Sequence, residues 1–341
     1  MNKRTEIATL GEFGLIRRLT ENIEIKNEST VKGVGDDAAV LHYEHKEVLV
    51  TTDLMLEGIH FDLTYAPLKH VGYKAAIVNF SDIYAMNGKP QQITVSVGIS
   101  KRFSVEDMEE LYNGIRLACG IYGVDMVGGD TSSSLTGLTI SVTCIGECDK
   151  DKIVYRSGAK DTDIICVSGD LGAAYMGLQL LEREKALSAD ERDFTPDFSG
   201  KEYLLERQLK PEARKDIIEM LAKANILPTS MIDVSDGLSS ELLHIAKESN
   251  VGIRLYEDRI PIDYQTAAQA EEFNMNLVTA ALNGGEDYEL LFTIPLAVHE
   301  AVSALKGISV IGYVTSPNLG SYLIGRDGGE VPLIAQGWNP L

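Results

Sequence analysis

The stretch VKGVGDDAAV, Val31 to Val40, places two glycines ahead of the adjacent carboxylates Asp36 and Asp37 and then returns to small apolar residues. A solvated turn accounts for it, with one aspartate capping the bend. A cation site accounts for it equally well, because acids in a glycine bend can be aimed into a cleft as hard oxygen donors. The rest of the chain repeats the theme. Acids beside Gly, Ser or Thr follow or interrupt apolar segments in VTTDLM (Asp53), NFSDIYAM (Asp82), VGGDTS (Asp130) and MIDVSDGLSSE (Asp233 and Asp236).

Asp53 closes the run Val48–Thr52 and Asp130 follows the short run Met126–Val127. Both are therefore expected at strand ends, where fixed backbone aims a side chain. Asp82 falls in a helical pattern on the face of Val78, Ala75 and Val71. A carboxylate on an apolar face is costly unless paired or bound to metal. Singly, each acid has a plainer explanation; Asp236 or Ser235, for instance, could N-cap the following helix. Together they favour Mg²⁺, which takes a few carboxylates and fills its shell with water and phosphate oxygens. Thr51, Thr52 and Ser235 offer neutral oxygens beside them.

At 341 residues the chain is long for one core, and two domains are expected. Apolar residues make up 44% and charged residues 24%, the balance of a globular protein. Acids outnumber Lys and Arg by 51 to 31, a formal charge of −20. That excess argues against general binding to nucleic acid or anionic membrane, both of which need a positive field. A phosphorylated substrate stays open if cations screen the repulsion. The N-terminal MNKRTEIATLGEFGLI lacks the apolar stretch of a signal peptide, and no run reaches bilayer-spanning length. A cytoplasmic location is expected. Cys144 and Cys148 form a lone CxxxC, and with Cys119 and Cys166 they are expected as reduced thiols.

Alternation and short apolar runs predict strands over Val48–Thr52, Ile93–Ile99, Thr139–Ile145, Ile164–Val167, Gly252–Tyr256, Tyr288–Thr293 and Ser309–Val314. Helical patterns run over Leu68–Asn87, Leu171–Glu184, Pro211–Ala224, Leu238–Lys247 and Tyr264–Leu282. Ser104 reads as an N-cap before a helix whose face carries Met108, Leu111, Ile115, Ala118 and Tyr122. The polar ECDKDKIV marks a boundary, giving domains at 1–150 and 151–341 in an α+β architecture, and Ala186–Lys201 reads as a surface loop.

Two segments suit anions. VGGDTSSS, Val127 to Ser134, has small residues whose backbone N–H groups could approach a phosphate, and YRSGAK supplies Arg156 and Lys160. The chain has no GxxxxGK[ST] loop, no HRD or DFG set and no GxGxxG after a strand. A nucleotide user of this sequence must hold phosphates mainly through metals.

The ordered motifs GEFGLI, GVGDDAAV, TTDLMLEGIHF, NFSDIYAM, VGGDT, YRSGAK, IDVSDGL and GGEDYEL, from Gly11 to Leu290, resemble those of the thiamine-monophosphate kinase family. That family is similar in fold to aminoimidazole ribonucleotide synthetase and selenophosphate synthetase. The resemblance implies an N-terminal domain whose strands form a β-barrel shared in a homodimer, a C-terminal α/β domain, and ATP held between domains. It implies ATP- and Mg²⁺-dependent phosphorylation of thiamine monophosphate to thiamine diphosphate by direct transfer, without a covalent nucleophile. Carried over by position, it makes Asp37, Thr51, Thr52, Asp53, Asp82, Asp130, Asp233 and Asp236 metal ligands. Tyr112, Gly129, Asp130, Arg156 and Ser235 would contact ATP, and His60, Glu286 and Trp338 would face thiamine monophosphate.

The chain departs from the family's usual pattern at Phe80, Tyr84 and Asn87 of NFSDIYAMNG and after the Thr of GGDTSSS, without removing an implied ligand. Two other readings stay open. One is a related ATP-dependent synthetase, though the first cysteine is Cys119, not one in a glycine-rich N-terminal segment. The other is a non-enzymatic acidic protein that binds divalent cations, which leaves Arg156, Lys160 and the glycine bends unexplained.

Overall fold

The computed structural model describes residues 5, 9–10, 15, 18–32, 40–190 and 198–336. Its chain divides into two units, Met1–Ile83 with Gly88–Asp151 and Tyr84–Asn87 with Lys152–Leu341.

In the first unit a short antiparallel pair, β1 (Thr30–Lys32) and β2 (Val40–Leu41), precedes a four-stranded sheet. The sheet comprises β3 (Glu47–Leu56), β4 (Lys89–Ile99), β5 (Asp125–Ser133) and β6 (Thr139–Cys148), in the order β3-β6-β4-β5. Helix α1 (Leu68–Ala85) leads into β4, and α2 (Val105–Tyr122) makes the crossover that lets β5 lie parallel to β4. One sheet face buries Leu49, Met55, Ile93, Val95, Val97, Ile140, Val142 and Cys144. On the other face of β3, Val48, Val50 and Leu54 are 46%, 66% and 52% exposed.

The start of α2 follows its sequence signals. Ser104 accepts the Asp107 N–H while Asp107 accepts the Ser104 N–H, a complete capping box, and Gly123 closes the helix at φ 73°. Its buried face includes Met108, Leu111, Ile115, Ala118 and Tyr122, as the spacing predicts. The α1–α2 crossing depends on two glycines. A Cβ on Gly72 would lie 2.0 Å from the Leu111 carbonyl oxygen, and one on Gly114 would lie 1.9 Å from that of Lys69. The two backbones meet where no other residue fits.

The second unit carries β7 (Ile164–Ser168), α3 (Ala173–Asp190), α4 (Glu202–Leu209), α5 (Lys215–Lys223), β8 (Ser230–Asp233), α6 (Leu238–Ser249) and β9 (Gly252–Tyr256). It continues with α7 (Tyr264–Glu272), α8 (Leu277–Asn283), β10 (Leu290–Ile294), α9 (His299–Ser303), β11 (Ile308–Thr315), β12 (Ser321–Ile324) and β13 (Glu330–Pro332). The seven strands lie in the order β13-β12-β9-β11-β7-β10-β8, antiparallel except for β12 with β9. Alternation sends Ile165, Val167 and Leu291 into one core and Cys166, Leu290 and Phe292 into the other. Both faces of this sheet are therefore covered.

Three expectations change. Strand β3 runs on to Leu56 and β5 runs through GGDTSS, so Asp53 and Asp130 lie within strands and not at their ends. Pairing with β4 from Gln92 to Ile99 carries the glycine-rich segment, against its weak intrinsic preference. The single helix expected over Tyr264–Leu282 is two, broken where Asn274 takes φ 52° and Asn276 caps α8. Helix α4 lies in a segment with no predicted element. All four cysteines are buried and free. Among the described residues no helix is long and apolar enough to cross a membrane.

Candidate functional site

In the first unit three of the predicted ligands, Thr51, Asp53 and Asp82, come within reach of one another. Asp53 shares the helix-facing side of β3 with Thr51, and Thr51 Oγ1 donates to Asp82 Oδ2 at 2.5 Å. Asp53 Oδ2 is buried with no hydrogen-bond partner. Burial, and then the charge of Asp82, push the Asp53 carboxyl up to about 6. A desolvated carboxylate beside a second acid, with a donor-free oxygen, suits a cation, which would ligate that oxygen and offset both causes of the shift. Among the described residues no group of three or more His, Cys, Asp or Glu is drawn together enough to hold an ion. Water, phosphate oxygens or further residues must complete the shell. Asp36 and Asp37 lie outside the described residues.

Asp130 is not part of that pair. Strands β3 and β5 are opposite edges of the sheet, three strand spacings apart, about 14 Å at ~4.8 Å each. The register sets Asp130 beside Ser96, Ser96 beside Ser141 and Ser141 beside Leu54, so Asp130 is on the other face from Asp53. Thr52 is on that face too, donating to the Val142 carbonyl at 3.1 Å and accepting from Thr143 Oγ1 at 3.1 Å. Gly129 presses on β4, where a Cβ would lie 2.0 Å from the Val95 carbonyl oxygen. His60 is exposed, and its Nδ1 accepts the Leu56 N–H at 3.0 Å, which leaves the proton of the neutral ring on Nε2. Tyr112 is 5% exposed, and burial pushes its hydroxyl up to about 12.

In the second unit the sequence-distant motifs DVSDG and GGEDYEL run side by side. Leu290 pairs with Asp233, Val234 donates to the Glu289 carbonyl at 2.8 Å, Tyr288 to that of Val234 at 2.9 Å, and Glu286 to that of Ser235 at 2.7 Å. Gly285, at φ 71°, allows this, since a Cβ there would meet the Ser235 carbonyl oxygen at 2.5 Å. Asp233, Ser235, Asp236 and Glu286 are thereby gathered. Burial raises the Asp236 carboxyl, His244 and Arg156 pull it down, and Glu286 raises it again. His244, Arg156 and Glu286 therefore all lie within electrostatic reach of Asp236. Arg156 is exposed, following Tyr155, whose carbonyl accepts the Met231 N–H at 2.9 Å. Trp338 lies outside the described residues.

Sequence reasoning missed Glu241. This side chain is 2% exposed; its Oε1 accepts the Asp236 N–H at 2.9 Å, while its buried Oε2 has no partner. Burial, against that hydrogen bond, pushes its carboxyl up to about 8. The only available signal was an acid in the first turn of a helix, which reads as an ordinary dipole partner. His244, one helical turn further on, carried no motif at all.

These two acid-lined sites on a two-unit α+β chain define a class. Residues 35–148 match the model of the AIR synthase related protein, N-terminal domain, and residues 161–323 match that of the C-terminal domain. The thiamine-monophosphate kinase of Aquifex aeolicus (strain VF5) is 36% identical over 286 residues, 84% of this chain and 86% of that protein. That of Bacillus subtilis (strain 168) is 33% identical over 97% of this chain and 99% of its own. A solved structure described as AaThiL complexed with AMPPCP and TMP is 33% identical, with a TM-score of 0.75 and 98% of each chain covered. The chain belongs to the thiamine-monophosphate kinase family.

Proposed function

We propose that this chain transfers the γ-phosphoryl group of ATP to thiamine monophosphate, forming ADP and thiamine diphosphate. One observation carries the reading at the level of the site: in a chain of this family, the acid beside Asp82 keeps a buried oxygen without a partner at Asp53. An oxygen of the thiamine monophosphate phosphate bonds to the γ-phosphorus as the bond from that phosphorus to the bridging oxygen of ADP breaks. The attacking phosphate is already ionised near neutral pH, so no general base is assigned. Mg²⁺, when bound, would neutralise the phosphates and align them.

Asp37, Thr51, Thr52, Asp53, Asp82, Asp130, Asp233 and Asp236 would hold the ions. Because Asp130 and the Asp53–Asp82 pair occupy opposite edges and faces of one sheet, they are assigned to different ions. Gly129, Asp130, Arg156 and Ser235 are assigned to the ATP phosphates. Tyr112 is assigned to the adenine of ATP. His60, Glu286 and Trp338 are assigned to thiamine monophosphate, whose cationic ring a carboxylate and an aromatic face both favour. Residues 1–150 carry the nucleotide, metal and dimerisation functions, and 151–341 form the second domain. The exposed Val48, Val50 and Leu54 support closure of the open sheet into a barrel with a second copy. A sedimentation mass near a single 37.2 kDa chain would contradict that dimer. Buried, free thiols support a reducing, cytoplasmic setting.

The test is ADP release by the purified protein with ATP and Mg²⁺. Release is expected to depend on thiamine monophosphate and to stop when Mg²⁺ is chelated. Equal release with free thiamine, or with no acceptor, would overturn the reading.

A further inference from the structure

The helix after DVSDG begins without the cap its sequence offers. Gly237 stands at the N-cap position of α6, at φ 115°, and no side chain caps the helix. A Cβ on Gly237 would lie 2.8 Å from the Leu282 carbonyl oxygen, so α8 presses on this turn and only glycine fits. Neither Ser235 nor Asp236 takes the capping role open to both. Glu241, inside the first turn, reaches back instead, and its Oε1 accepts the Asp236 N–H at 2.9 Å.

This contact completes a clamp on one peptide group. The carbonyl of the Ser235–Asp236 peptide accepts the Glu286 N–H at 2.7 Å, and its N–H donates to Glu241. Gly285 lets the two segments approach so closely. The loop it belongs to is anchored by Arg207 of α4, which donates to Glu289 Oε1 at 3.0 Å and to the Asp287 carbonyl at 3.4 Å. The peptide plane cannot turn without losing one of its two bonds, so the Asp236 side chain leaves a fixed Cα.

Glu241 has no other visible task. Among the described residues its Oε1 meets the Asp236 N–H and, at 3.5 Å, Ser235 Oγ, the outer limit of a hydrogen bond. Its Oε2 is buried without a partner, and the side chain is 2% exposed. An unpaired buried carboxylate oxygen is destabilising by itself. An acid that only complemented the helix dipole would do so from the exposed face. The hold on Asp236 is what this buried acid supplies.

We propose that Glu241 is a positioning residue for the metal ligand Asp236: it fixes the peptide from which that carboxylate is presented to Mg²⁺. The inference rests on the assignment of Asp236 to Mg²⁺. It gives the first turn of α6 a part in the site, as the grip on the loop ahead of it.

The test compares full-chain Glu241→Gln, which keeps an acceptor oxygen, with Glu241→Met, which keeps the length and removes it. Mg²⁺ is titrated in two ways, by the rise in melting temperature of the substrate-free protein and by the rate with ATP and thiamine monophosphate. In Glu241→Met both Mg²⁺ midpoints are expected to rise about tenfold, the usual weight of a group that orients a metal ligand. KM for thiamine monophosphate should stay within about twofold, a split that general loosening of the fold would not produce. Glu241→Gln should keep both midpoints within about threefold of wild type, since its carbonyl oxygen accepts the same N–H. Added to Asp236→Asn, Glu241→Met should cause no further shift. Glu241→Leu takes its place if Glu241→Met melts far below wild type in chelator. Unchanged midpoints in the apolar variant, a Gln variant as impaired as the apolar one, or effects that multiply would overturn the positioning role alone. If Asp236→Asn leaves both midpoints unchanged, the assignment of Asp236 fails and takes this inference with it.

Discussion

Asp53→Asn is expected to lower kcat at least about a hundredfold and, at the same time, to raise the melting temperature of the metal-free protein. The first effect follows from weakening the hold on the Mg²⁺ that would neutralise phosphate repulsion. The second follows from the folded state alone. Asp53 is desolvated beside Asp82, and its carboxyl is pushed up to about 6 from 3.8. A raised carboxyl contributes stability that is fully present below its unfolded value near 4 and is lost as pH rises through about 6. At neutral pH the ionised group therefore costs on the order of 1–3 kcal/mol, which the neutral amide avoids. Melting in chelator should show wild type more stable at pH 5 than at pH 7.5, with that difference reduced in the variant. Added Mg²⁺ should stabilise wild type at pH 7.5 and the variant much less. A variant that melts lower than wild type in chelator, or that turns over normally, would contradict the reading of this pair.

Arg207→Met is expected to cost about 3–5 kcal/mol of unfolding free energy, the usual result of stripping the partner from buried charge. Burial works against the charge of Arg207, but Glu289, Asp287 and Asp170 outweigh it and hold its pKa above the ordinary value. The guanidinium belongs chiefly to Glu289, at 3.0 Å against 3.7 Å for Asp287. At the more distant Asp287, burial wins and pushes the carboxyl up to about 7. Removing Arg207 raises the Asp287 carboxyl further, so the deficit should grow as pH rises and shrink as that group takes up its proton. Urea unfolding at pH 5.5 and pH 7.5 measures both size and sign. A loss below about 1 kcal/mol, or one independent of pH, would show that the network does not carry the loop.

Much of the local structure was legible because its signals are local. Gly252–Tyr256 is a strand over the predicted bounds, and the capping box at Ser104 starts α2 where predicted. Strand β5 was not legible, because GGDTSS forms a strand through its parallel ladder with β4 and not through its own preference. The acids could be picked out as a set, yet their grouping could not. Asp53 and Asp82 meet because β3 lies under α1, and Asp130 stands apart because of a register that only the assembled sheet defines. Ser235, Asp236 and Glu286 were chosen separately and come together through the zipper of backbone hydrogen bonds at Val234 and Ser235. Glu241 and Arg207 act through partners five to eighty-two residues away, so no spacing in the chain announces them.

Acids that hold Mg²⁺ would let one phosphate attack another directly, with no covalent intermediate on the protein. Following the γ-phosphate of labelled ATP in the presence of Mg²⁺ and thiamine monophosphate tests it most directly. All transferred label should appear in the terminal phosphate of thiamine diphosphate, one for each ADP formed, with none on the protein. Label released as inorganic phosphate, or trapped covalently on the chain, would contradict it.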